Sequence, residues 1–257
     1  KGMKEFKNIL ITGASSGIGQ GMAEYYAGKG VTLALTGRDA GRLDKVALKC
    51  TEQGANVHQA VVDVTARDMM DKWIRDLDNR IGFDLVIANA GISGGTASHK
   101  FSEPSRQVHQ IFDVNVRGVF HTIDPVLPGM IKRESGQIGI VSSLAGYRGF
   151  PGAPAYSASK AAVRTYGEAL RGSLHKSGVG VSVICPGFVK SRMTDANDYD
   201  MPFLMPTRRA VRIIARNLAR NKGRIAFPWQ TAWLAWIFMA LPDGLAQPLL
   251  RRLPEKR

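Results

Sequence analysis

The sequence predicts an α/β protein, a doubly wound domain with a parallel sheet of about seven strands and helices on both faces. Three observations predict it. Short apolar runs alternate with longer stretches of helical spacing, the runs are apolar throughout, and a glycine-rich turn joins the first run to the first helix. Strands buried on both faces need unbroken apolar runs, and strand–helix alternation produces a parallel sheet. The runs are 9–12, 31–36, 57–62, 84–88, 137–142 and 179–184. Helical spacing fills 17–29, 39–53, 66–81, 104–133 and 155–177. Right-handed crossovers then set every strand's C-terminal end on one edge, where ligands bind. All of 1–257 is assigned to one domain, with 192–257 as substrate-side loop, basic helix and apolar C-terminal tail.

Composition agrees with that class. With 44% apolar and 22% charged residues, the chain has the make-up of a soluble globular protein with one large core. Cys50 and Cys185 lie far apart without metal-ligand spacing and read as free buried thiols in a reducing compartment. His99, His109, His121 and His175 show no ligand spacing either, so no metal is expected. No signal peptide and no run of about 18 apolar residues is seen, which points to a cytoplasmic protein. The formal net charge is +14, and Arg208, Arg209, Arg212, Arg216, Arg220, Lys222 and Arg224 follow one another with no acid between them. Such a surplus suits a solvated helix face, and it also attracts anionic lipid, nucleic acid or an acidic protein such as an acyl carrier protein. Nucleic acid is not the expected partner.

Directly after the first run stands Thr12-Gly13-Ala14-Ser15-Ser16-Gly17-Ile18-Gly19, opening into a helix. The spacing is G-x-x-x-G-x-G rather than G-x-G-x-x-G. Glycines let backbone approach a pyrophosphate while the helix N-terminus supplies N–H donors, so the context predicts a Rossmann-type dinucleotide site. The second run ends Leu35-Thr36-Gly37-Arg38-Asp39. An acid at this strand end holds the ribose 2′-OH of NAD, whereas a basic group suits a 2′-phosphate. Gly37 occupies the acid's place and Arg38 follows it, while Asp39 is placed to cap the next helix. Ser15 adds a hydroxyl toward the same phosphate. NADP(H) is therefore expected ahead of NAD(H).

Tyr156 and Lys160 are four residues apart, on one face of a helix. A phenol of ordinary pKa near 10 is a poor acid or base at neutral pH, and an adjacent cation brings it toward the working range. Thirteen residues upstream, Ser143 stands at a strand's C-terminal end, where its hydroxyl can bind a substrate oxygen; Ser142 is the competing choice.

Together these residues resemble the short-chain dehydrogenase/reductase family over about residues 7–190. The landmarks occur in order: residues 12–19, Asp63-Val64, Asn89-Ala90-Gly91, Asn115, Ser143, Tyr156, Lys160 and Pro186-Gly187. The resemblance implies that Ser143 orients a substrate carbonyl and Tyr156 protonates it as hydride arrives. Lys160 lowers the tyrosine pKa and holds the nicotinamide ribose, and Asn115 links Lys160 to water in a proton relay. Asp63 and Val64 are implied at the adenine, Asn89 at the adenosine ribose, and the Val189 backbone with the Ser191 hydroxyl at the carboxamide. Ala88 replaces the first Asn of the usual N-N-A-G, and Ser191 stands where Thr is usual. The family implies a small-molecule carbonyl or alcohol substrate and a homodimer or homotetramer pairing the helices in 104–133 and 155–177.

The remainder is less specific. Met193, Met201, Phe203, Leu204 and Met205 in the 192–206 loop suggest an apolar substrate wall. Trp229, Trp233 and Trp236 follow i, i+4, i+7 spacing, so a helix would carry them in one stripe. Packing, a substrate lid and peripheral membrane contact, with Arg251 and Arg252 nearby, all remain open for this tail.

Overall fold

The computed structural model describes residues 4–96, 102–195 and 200–250; His99, Arg251 and Arg252 lie outside these. Seven parallel strands, β1 (Asn8–Ile11), β2 (Thr32–Gly37), β3 (Asn56–Val61), β4 (Leu85–Ala88), β5 (Gly136–Val141), β6 (Val179–Pro186) and β7 (Arg224–Phe227), form one sheet in the order β3-β2-β1-β4-β5-β6-β7. The order reverses between β1 and β4, which opens a crevice at their C-terminal ends. The helices are α1 (Gly17–Tyr26), α2 (Ala40–Glu52), α3 (Arg67–Ile81), α4 (Ser105–Phe112), α5 (Gly118–Ile123), α6 (Leu127–Lys132), α7 (Pro154–Ser173), α8 (Arg192–Asp195), α9 (Thr207–Ala219), α10 (Trp229–Ala240) and α11 (Asp243–Leu250).

Alternation along the strands explains the two covered faces. Ile9, Ile11, Leu33 and Leu35 pack with α1, α2 and α9, whereas Leu10, Val86, Ile138 and Ile140 pack toward α3, α5 and α7. Strand β3 departs from the expected fully apolar character: it is an edge strand, and Asn56, Gln59 and Val61 are exposed. Its neighbour β2 is paired on both sides and buried from Leu33 onward.

Three regions differ from the sequence reading. The stretch 104–133 is not one helix. It is α4, a π-helical turn over Asp113–Arg117, α5 and α6. Strand β7 lies beyond the last of the six apolar runs, and pairing Val183–Pro186 with Arg224–Phe227 also lengthens β6. The tail forms α10 and α11. Ala232, Ala235 and Met239 pack on Leu144, Tyr147, Val183 and Cys185, while Trp229, Trp233 and Trp236 are exposed. Thus packing is carried by the small and flexible residues rather than by the tryptophans.

Arg148 clamps this tail to the turn that follows β5. Its guanidinium donates to the carbonyls of Phe238 (3.4 Å) and Leu241 (3.0 Å) and to the Asp243 carboxylate (2.6 Å). On the other side of the site, Val189 and Met205 form a parallel bridge. Lys190 N donates to Met205 O at 2.9 Å and Met205 N to Phe188 O at 2.9 Å. Met205 is buried there, whereas Met193, Phe203 and Leu204 are exposed. Both cysteines are free and buried.

Candidate active site

The glycine loop is held from two strands. Thr12 N donates to Ile87 O at 3.1 Å and Ala14 N to Thr36 O at 2.8 Å. Asn89 Nδ2 donates to the carbonyls of Thr12 (2.9 Å) and Gly13 (3.2 Å), and Asn89 N donates to Thr12 Oγ1 (3.1 Å). The Asn89 amide thus braces the loop beside its implied place near the ribose. Gly13 has φ +65°, and a Cβ there would sit 2.8 Å from Ala90 Cα. Gly17 has φ +57°, and a Cβ on Gly19 would run into the Gly13 carbonyl. Only glycine fits this loop. Ile18 turns into the core beneath it. The first turn of α1 contains no acid, and Ser16 makes no side-chain cap, which leaves N–H groups suited to an anion. This cradle fits a dinucleotide pyrophosphate.

At the end of β2, a Cβ on Gly37 would lie 3.0 Å from both Cβ and Oγ of Ser15. A carboxylate side chain at position 37 would have to displace Ser15. Arg38 is half exposed and stands 3.7 Å from Asp63. The Asp63 carboxylate also accepts from Thr65 N (2.9 Å) and Oγ1 (2.8 Å). Asp39 caps α2 as expected, accepting from Arg42 N at 2.9 Å. A cavity of about 380 Å³ opens here, lined by Arg38, Asp63, Arg106, His109 and Val114. Val64 is buried, and its carbonyl lies 2.8 Å from His121 Nδ1. Arg106 and His109 have no local motif that would reveal them; only the fold carries α4 to this pocket.

The β5 end separates the two serines. Ser142 is buried and donates to Lys160 O at 2.7 Å, so its hydroxyl ties β5 to α7. Ser143 is half-buried, accepts from Ala145 N (3.1 Å) and donates weakly to Pro186 O (3.4 Å). Helix α7 begins at Pro154, and Ala155 N donates to Glu103 Oε2 at 2.7 Å, an anchor for the turn that carries Tyr156. Lys160 Nζ lies 5.8 Å from the centre of the Tyr156 ring and donates to Val141 O at 3.0 Å. Burial pushes the Lys160 pKa down to about 8.

Asn115 occupies the π-helical turn, a distortion that re-aims one side chain out of helical register. Its Nδ2 donates to Ile92 O (2.9 Å) and Ser159 Oγ (3.0 Å), and its Oδ1 accepts from Ile92 N (2.8 Å). A Cβ on Gly91 would be 3.3 Å from both Asn115 Oδ1 and Lys160 Nζ. Gly91, Asn115 and Lys160 therefore converge, with Ser159 as a partner the sequence reading missed. Across the crevice, Gly187 N donates to Phe227 O at 2.7 Å, and Thr194 Oγ1 donates to Val189 O at 3.0 Å. A Cβ on Gly17 would stand 3.2 Å from Ser191 Cβ, which joins the Ser191 turn to the phosphate loop.

A doubly wound sheet with a glycine cradle at its switch point, and a Ser-Tyr-Lys-Asn set beside it, defines a dinucleotide-dependent oxidoreductase architecture. Comparison with known proteins makes the class definite. The family model described as short chain dehydrogenase matches residues 7–201. An uncharacterized oxidoreductase of Myxococcus xanthus is 41% identical over 249 residues, covering 96% of this chain and 98% of the relative. An uncharacterized oxidoreductase of Mycobacterium tuberculosis is 34% identical over 248 residues, 94% of this chain and 96% of that one. Among solved structures, a short-chain dehydrogenase from Sphingobium yanoikuyae in complex with NADPH superposes with TM-score 0.77 at 24% identity, covering 98% of each chain. One from Mycobacterium paratuberculosis bound to NAD gives 0.78 at 21%, covering 88% of this chain and 98% of its own. The chain belongs to the short-chain dehydrogenase/reductase family and is an oxidoreductase.

Proposed function

We propose that the protein transfers hydride reversibly between NADP(H) and the carbonyl or alcohol carbon of a small apolar substrate in the cytoplasm. The observation that carries the cofactor choice is the tight space at Gly37, where a Cβ would come to 3.0 Å from Ser15 Cβ and Oγ, beside Arg38. An acid at position 37 needs Ser15 to give way, and the adjacent Arg38 carries the charge that would pair with a 2′-phosphate. Solved relatives of this fold bind either NADPH or NAD, so the discrimination rests on these residues. The cofactor supplies or accepts the hydride.

The chain's own groups supply the rest. The loop at 13–19 holds the pyrophosphate, with Asp63 and Val64 at the adenine and Pro186, Gly187, Val189 and Ser191 at the carboxamide side. Ser143 donates to the substrate oxygen and fixes its orientation. Tyr156 delivers the phenolic proton to that oxygen in reduction and withdraws it in oxidation. Lys160, when charged, favours the phenolate electrostatically, and Asn115 fixes the Gly91–Ile92 backbone facing that ammonium. The exposed Met193, Phe203 and Leu204 support an apolar substrate. The family's helix pairing would join two copies through α4–α6 and α7.

The test is NADPH oxidation followed against a panel of apolar ketones and aldehydes. Tyr156→Phe is expected to abolish turnover while leaving NADPH affinity within a few-fold. Retained turnover would remove Tyr156 as proton donor. No turnover by the wild type, despite tight NADPH binding, would indicate a nucleotide-binding scaffold.

A further inference from the structure

Helix α10 has no charged residue over its twelve positions. One side is accounted for: Ala232, Ala235 and Met239 rest on the turn after β5 and on β6. The other side carries Trp229, Trp233 and Trp236, which are 74%, 63% and 52% exposed. At 100° per residue these rings fall within an arc of about 60°, so they form one ridge. Leu245 and Leu249 on α11 add exposed apolar surface. A ridge of this kind is costly in water and calls for a partner.

We propose that this ridge seats the enzyme on an anionic lipid surface, as a property added to its oxidoreductase chemistry. Three arguments select that occupant. First, the helix is about 18 Å long and cannot cross a hydrocarbon core of about 30 Å, so contact with a bilayer is in the plane of its surface. Among the described residues, no helix is long and apolar enough to cross a membrane. Indole rings suit that depth, because an apolar body and a polar N–H meet the two sides of the headgroup boundary.

Second, area argues against a second copy of the chain. The three rings, at roughly 150–250 Å² each when whole, expose roughly 300–470 Å² together, to which Leu234, Leu245 and Leu249 add only part-exposed side chains. One partner of a stable interface buries about 800 Å².

Third, charge selects an anionic surface. Residues 207–257 carry eleven Lys and Arg against two acids. Helix α9 packs on the opposite face of the sheet, so its exposed arginines act only through the overall field. Arg251, Arg252, Lys256 and Arg257, against Glu255 alone, follow α11 directly in the chain. Anionic headgroups neutralise such an excess of charge, whereas a second copy of the chain would double it.

Flotation of the full chain with vesicles tests this, using phosphatidylcholine alone and phosphatidylcholine with about a third of phosphatidylglycerol. The wild type is expected to float with the anionic vesicles only, to release with added salt, and to show blue-shifted tryptophan emission quenched by brominated lipid. The triple variant W229S/W233S/W236S is expected to partition about tenfold less, with NADPH binding unchanged as the check on its fold. Should the variant fail to fold, quenching by brominated lipid in the wild type still decides. Wild-type protein that stays in solution with both vesicles overturns the proposal, as does equal binding to neutral ones. A wild-type dimer that the triple variant dissolves, without lipid partitioning, would assign the ridge to a second copy.

Discussion

Lys160 holds a charge where burial resists it. Its pKa lies at about 8, against an ordinary 10.5, and desolvation is the cause. The sign follows from proton counts. Below about 8 both folded and unfolded chains are protonated at this site, and the folded chain bears the full cost of a buried cation. Between about 8 and 10.5 the unfolded chain binds a proton that the folded chain does not, so stability rises with pH. Lys160→Met removes that rise. In denaturant titrations without cofactor, the stability difference between wild type and variant should move in the wild type's favour by on the order of 3 kcal/mol from pH 7.5 to 10.5. A flat difference would mean that Lys160 is solvated in the folded state. At the other end of the crevice, Arg38→Asp should weaken NADPH binding at least tenfold more than NADH binding, read as two dissociation constants. Equal losses would deny Arg38 a role at the 2′-phosphate.

Among the elements, the α10–α11 pair packs on the turn after β5 and is also hydrogen-bonded to it through Arg148. Arg148 satisfies two carbonyls near the C-terminal end of α10, where intrahelical partners run out. Arg148→Ala is expected to cost about 1–2 kcal/mol in chemical unfolding, since it leaves those carbonyls short of a donor. Asp243→Ala should cost under about 0.5 kcal/mol, because Asp243 is 75% exposed and its ion pair is screened. Equal costs would show that the ion pair, rather than the carbonyls, carries the clamp. Legibility in the sequence also divides by element. Strands β1, β2, β4, β5 and β6 announce themselves because burial on both faces forces continuous apolar runs. β7 is only four residues long and begins with an exposed arginine, so its pairing with β6 is a tertiary fact. The π-helical turn leaves no periodic trace, because one added residue shifts the register without changing composition.

At the scale of the whole molecule, the glycines that could be named from sequence are those whose backbone geometry permits few alternatives. Gly13, Gly17 and Gly91 sit where a Cβ would strike a neighbour or where φ is positive, and such positions mark themselves by residue type. Arg106 and His109 reach the cavity beside Arg38 and Asp63 from α4, and nothing local distinguishes them. The tail was readable as an apolar helix, but which of its faces is covered depends on Leu144, Tyr147 and Cys185, distant in sequence.

The bridge between Val189 and Met205 has a consequence for how this architecture diversifies. Its hydrogen bonds close the base of the excursion that includes Met193, Phe203 and Leu204, much as two posts hold a gate. Below the posts, Met205 is buried and belongs to the core. Above them, past the Ser191–Thr194 turn that abuts the phosphate loop at Gly17, side chains such as Phe203 and Leu204 can be exchanged with little disturbance to the glycine cradle. Selection can thus rewrite what such an oxidoreductase takes in while inheriting the frame that holds its glycine loop.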